Sequence, residues 1–132
     1  MKWLSKIQIS VDPLVRAEQC IHYLNGVGER PEKEVTIEIL LETIKEEELT
    51  YELYKQIVRI GIQQINFWLA IFGNEDAIEA LIGWDAISQE IISNMLRNQN
   101  LRPRHHVLIE MRLDNSPKGL LNKKLLESRH DY

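Results

Sequence analysis

Glu18 with His22, and His106 with Glu110, are the residues of this 132-residue chain whose types and spacing could do chemistry. Each pair stands at i, i+4, so a helix through either segment would set its carboxylate and imidazole on one face. Both groups are ligands for zinc or another divalent metal, and a site drawing on all four would make the protein a small metal-dependent enzyme. A metal needs three or four ligands converging on one point, and nothing in the spacing makes the two pairs meet. The pairs therefore read as surface neighbours, with no metal and no cofactor expected. Cys20 lies two residues before His22, which on a helix separates their directions by about 200°. That is a poor geometry for activating a nucleophile, and Cys20 reads as a buried structural thiol. His105 and His130 read as solvated or capping residues. The sequence has no Gly-rich phosphate loop, G-x-S-x-G elbow, H-E-x-x-H or Cys-x-x-Cys, so no catalytic residue is assigned.

Charge distribution says more than any motif. Residues 34–55 carry 7 acids against 2 bases, and residues 97–132 carry 8 bases against 4 acids. Glu34, Glu38, Glu42 and Glu46 follow one another at i+4 and form one stripe on a helix, where each like-charge pair costs a few tenths of a kcal/mol. Such a stripe is either a solvated face, a set of charges neutralised by Arg97, Arg102, Arg104 or Arg112, or a surface that steers a basic protein into place. On the last reading the contact residues are Glu38, Glu42, Glu46, Glu47, Glu48, Tyr51 and Glu52, with Tyr51 as an aromatic anchor. Tyr54 lies next to the patch as a second contact aromatic, and helical core packing is the competing use of both tyrosines, above all of Tyr54.

The segment Arg97–His106 holds three Arg within eight residues, which invites a phosphate-binding reading. No aromatic is interleaved in it and the protein is acidic overall, so nucleic acid is not the expected partner. Phe67, Trp68, Phe72 and Trp84 could line a pocket for an apolar ligand, but core packing is the expected use.

These residues need helices to position them, and cap and stop signals mark most of the chain. Asp12-Pro13 opens a first helix that stops near Gly26 and Gly28; a second follows Pro31. Thr50 caps a third, whose apolar set runs from Tyr54 through Ile57, Val58, Ile62, Ile65, Trp68 and Leu69 to Phe72. Asn74 caps a fourth with Ile78, Leu81, Trp84, Ile87, Ile91 and Met95, in which Gly83 could make a kink or a split. The short turn at Gly73-Asn74 sets the third and fourth antiparallel as a helical hairpin. Ser116-Pro117 opens a last helix. The alternation at Trp3, Ile7, Ile9 and Val11, and again at Val107, Ile109, Met111 and Leu113, leaves a short terminal strand pair as an alternative to helix at both ends. The expected fold is all-α: one domain over residues 1–132, a bundle of five or six helices centred on the hairpin.

A single Cys excludes a disulfide scaffold and fits a reducing compartment. The start lacks an apolar export core, and the most apolar run, Ile57–Phe72, carries Arg59, Gln63, Gln64 and Asn66, so no membrane contact and a cytoplasmic location are expected. In size and charge the chain resembles small acidic helical binding and inhibitor proteins of bacteria, including immunity proteins that neutralise a toxin domain. The resemblance covers no motif. It implies a non-catalytic module that meets a basic protein partner through the acidic face. The alternatives are the Glu/His enzyme above and a structural homo-oligomer, with a homodimer as one way to cover the apolar third helix.

Overall fold

A computed structural model describes residues 9–26 and 32–130, without the side chain of His130. The described residues form eight helices and no strand. They fall into two compact units, residues 1–61 and 62–132.

The first unit contains α1 (Pro13–Leu24), α2 (Lys33–Glu46) and α3 (Tyr51–Ile60), with α1 packed on both others. Asp12 starts α1 by accepting from the backbone N–H groups of Leu14 at 2.9 Å and Val15 at 3.4 Å, while Pro13 fills the first position, where no donor is needed. Ala17, Cys20 and Ile21 form its inward face. They meet a core that includes Ile39, Leu40 and Ile44 of α2 and Leu53, Ile57 and Val58 of α3. The Arg16 Nε donates to Thr43 Oγ1 at 2.8 Å, and that hydroxyl donates to the Ile39 carbonyl at 2.7 Å, so a part-buried polar pair ties α1 to α2. Of the two uses open to Tyr54 it takes the core one: it is buried, its hydroxyl accepting from the Leu49 N–H at 3.0 Å.

The expected third helix, continuous to Phe72, is two helices. Gly61 adopts φ 80°, the left-handed conformation that closes a helix and that glycine takes without strain, and Ile62 behind it is extended. The chain restarts as α4 (Gln63–Phe72) in the second unit, so the expected hairpin of two long helices is not the centre of the fold.

In the second unit α4 packs on α5 (Glu75–Ile82) and α6 (Gln89–Met95), α6 packs on α8 (Pro117–His130), and α7 (Pro103–Glu110) packs on α5 and α8. Gly83 ends α5, which turns the expected fourth helix into the pair α5 and α6, the latter capped by Ser88 Oγ at 3.2 Å from the Ile91 N–H. The core holds Ile65, Leu69, Ile78, Leu81, Ile92, Met95, Ile109 and Leu126. Buried Asn122 donates to the Gln89 carbonyl at 2.8 Å and accepts from Ser93 Oγ at 2.6 Å, fastening α8 to α6.

The strand alternative fails at the C-terminal end. Val107 and Ile109 lie in α7, with Ile109 inward and Val107 outward, and Met111 and Leu113 in the turn that follows. Trp3 and Ile7 lie outside the described residues, and Ile9 and Val11 are not in a strand. No described helix is long and apolar enough to cross a membrane.

Candidate functional site

The acidic face is built by α2, its end and the start of α3. Thr36, Ile39, Leu40, Thr43 and Ile44 turn inward, which at helical spacing sends Glu34, Glu38, Glu42 and Glu46 outward. The helix ends at Glu47, whose backbone is extended, and Thr50 then caps α3. Glu47, Glu48, Tyr51 and Glu52 are exposed beside that junction, so all seven residues expected to bind a partner lie at the surface of the first unit.

They are not equally free. Glu46 pairs with Arg16 at 3.4 Å, and Glu52 with Lys55 at 3.6 Å. The same Lys55 ammonium stands 5.2 Å from the centre of the Tyr51 ring, which leaves that ring 40% exposed with a cation against it. Glu38, Glu42, Glu47 and Glu48 make no ion pair with the described residues. Arg97 and Arg112 make none with the described residues either, and Arg102 and Arg104 pair with Glu75 and Glu79 of their own unit.

Arg102 and Arg104 belong to a separate charged cluster. The Arg104 guanidinium spans Glu75 at 2.6 Å and Glu79 at 3.2 Å on successive turns of α5, and Arg102 approaches Glu75 at 3.9 Å. The hydrogen bond from Arg104 holds the Glu75 carboxyl below the usual range, and the same bond raises Arg104. His105 lies fully buried between them. Its Nδ1 accepts from the Arg102 N–H at 2.9 Å, and its Nε2 stands 4.0 Å from Glu79. Burial, then the charge of Arg104, pushes His105 below its ordinary 6.5. Each carboxylate in this cluster is already engaged by a guanidinium, so the arrangement braces the start of α7 against α5.

The metal candidates divide between the units: Glu18 and His22 are exposed on α1, while on α7 His106 is buried and Glu110 points out. Among the described residues no three His, Cys, Asp or Glu side chains lie close enough to hold a metal ion. Cys20 is completely buried, and burial pushes its thiol up to about 12, far from a nucleophilic thiolate at neutral pH. The aromatic set does not form a core cluster. Trp68 and Phe72 are in ring contact at 5.4 Å, but Phe72 is 61% exposed, and Phe67, Trp68 and Trp84 are only half-buried.

Sequence reasoning allowed His105 a capping role, which its ring takes at the start of α7 by accepting from the Arg102 N–H, but missed that the residue is fully buried rather than solvated. It also missed Lys55 over Tyr51, an i, i+4 pair legible once α3 is placed. No protein-family model, curated protein or solved structure matches this chain.

Proposed function

We propose that the chain is a non-catalytic protein-binding module, of the inhibitor or immunity type, that receives a basic partner on the acidic face of its first unit. The observation that carries this reading is the set of exposed carboxylates at Glu38, Glu42, Glu47 and Glu48 with no ion-pair partner among the described residues. Four such charges along α2 and just past its end raise the local negative potential, which speeds the encounter with a positive surface and disfavours an acidic one. Tyr51 supplies the contact area that carboxylates lack. Glu46 and Glu52, already paired, contribute to the field more than to direct contacts. The lone, buried Cys20 suits a cytoplasmic setting, where thiols stay reduced.

The test compares the parent with E38Q/E42Q/E47Q/E48Q. Proteins retained by the parent in an unbiased pull-down are identified, and their association rates with both chains are followed as salt rises. The parent should associate more slowly once the Debye length shrinks from about 30 Å at 0.01 M to about 8 Å at 0.15 M, and the variant should already be slow at low salt. The variant should remain folded and slightly firmer, since like charges at i+4 repel. A partner that binds both chains equally fast at low salt would sink the proposal.

A further inference from the structure

The aromatic set and the basic segment, separate in the sequence, meet in the second unit. Ile71 and Phe72 end α4, residues 97–100 form the turn after α6, and a recess of about 340 Å³ lies between them. The turn is held in place by buried Asn98, whose Nδ2 donates to the carbonyls of Ala70 at 2.9 Å and Gly73 at 3.0 Å. Asn100 donates to the Gly73 carbonyl at 3.0 Å, and its backbone N–H donates to Asn98 Oδ1 at 2.8 Å. These bonds satisfy carbonyls that the end of α4 leaves open, so the walls of the recess are fixed before anything binds.

The recess presents an exposed Phe72 ring, supported at 5.4 Å by Trp68, with Ile71 beside it and Gln99 and Asn100 at its edge. It also presents Arg97. Of the three arginines in the basic segment, Arg102 and Arg104 are held by Glu75 and Glu79, whereas Arg97 is exposed and makes no ion pair among the described residues. An aromatic ring beside an arginine is the composition of an interface anchor point, and the volume suits a single side chain with its neighbour. A guanidinium selects a carboxylate, which it can meet with two parallel hydrogen bonds. A nucleic-acid strand is disfavoured, since its affinity comes from several neutralised phosphates and the recess offers one unpaired cation.

We propose that this recess is a recognition site for a partner protein segment that carries an apolar or aromatic side chain next to a carboxylate. Phe72 and Ile71 receive the apolar group and Arg97 the carboxylate. The site is chemically opposite to the acidic face of the first unit, and it stands independently of the function proposed for that face.

The full ¹⁵N-labelled chain is titrated in a nuclear magnetic resonance experiment with N-acetyl-Phe-Asp-amide, its Phe-Asn counterpart and octa-deoxythymidine. The Phe-Asp probe should shift the amides of Phe72, Arg97, Gln99 and Asn100 saturably, and bind about threefold tighter than the Phe-Asn probe, the factor of one solvent-exposed ion pair. Arg97→Gln should abolish that preference and Phe72→Ala should weaken both peptides, whereas E38Q/E42Q should leave the affinities unchanged. Both Arg97 and Phe72 are exposed, so the variants should fold; if Phe72→Ala does not, the loss of preference in Arg97→Gln decides alone. The proposal is overturned by the absence of a saturable shift, by equal affinity for the two peptides, or by tighter binding of octa-deoxythymidine. Concentration-dependent shifts at these residues without any probe would also overturn it, because a second copy of the chain would then occupy the recess.

Discussion

The two nitrogens of His105 have different jobs. Because Nδ1 accepts from the Arg102 N–H, the proton of the neutral ring sits on Nε2, toward Glu79. Protonation at Nδ1 would set donor against donor and place a charge in a buried site beside Arg102 and Arg104, with Glu75 and Glu79 on α5 opposing this only in part. The folded pKa lies below the ordinary 6.5, so the unfolded chain takes up the proton first as pH falls. The stability from a neutral His105 is thus complete above 6.5 and declines from there down to the folded value. The urea midpoint of the parent should drop between about pH 7.5 and about pH 5.5, and drop less in His105→Asn, which keeps an acceptor but does not titrate. Equal drops in the two chains would remove His105 as the source. At this scale the exposed stripe was legible, because Glu34 to Glu46 depend only on spacing within one helix. The partners of Arg102 and Arg104 were not, since Glu75 and Glu79 lie more than twenty residues away and charge alone gives no address.

Among the elements, the caps at Asp12, Thr50 and Asn74 fall where the sequence expects them, since each depends on one side chain and the next three residues. The break at Gly61 escapes such reasoning because apolar residues continue at helical spacing on both sides of it. Only the backbone shows that the spacing restarts. Gly61→Ala should cost about 1 kcal/mol in chemical denaturation, the strain of a Cβ in the left-handed region; an unchanged midpoint would mean that the junction relaxes freely. One turn into α4, Ile65 is completely buried, and Ile65→Ala should cost about 2–5 kcal/mol. Phe72→Ala, at the exposed end of the same helix, should leave the melting temperature within experimental error. The reverse order would show that the inward face of α4 has been misassigned. Gly73, which follows, tolerates no side chain, because a Cβ there would run into the Leu69 carbonyl and come within 2.8 Å of the Ala77 Cβ.

For the whole molecule, the acidic middle and basic C-terminal quarter foretell the distribution of charge but not its use. In the second unit two arginines are absorbed by α5 and Arg97 is left at a recess, while in the first unit Glu38, Glu42, Glu47 and Glu48 have no ion-pair partner among the described residues. Net charge gives the sum; only folding decides which charges face a partner. The chain has one thiol, Cys20, closed in on α1 by the packing of α2 and α3. It is shielded from collision and held protonated, so a disulfide reagent should find nothing to attack in the native protein at about pH 8. Reaction must wait for the first unit to open. With reagent in excess, the rate of colour release should stop rising with reagent concentration and settle at the opening rate, within the range of about 10 to 10⁻⁶ per second known for small domains. A rate that climbs without limit at high reagent would mean that the thiol is reached through the native surface. Cys20 thus makes the chain its own stopwatch, timing how long α1 stays seated between encounters with solvent.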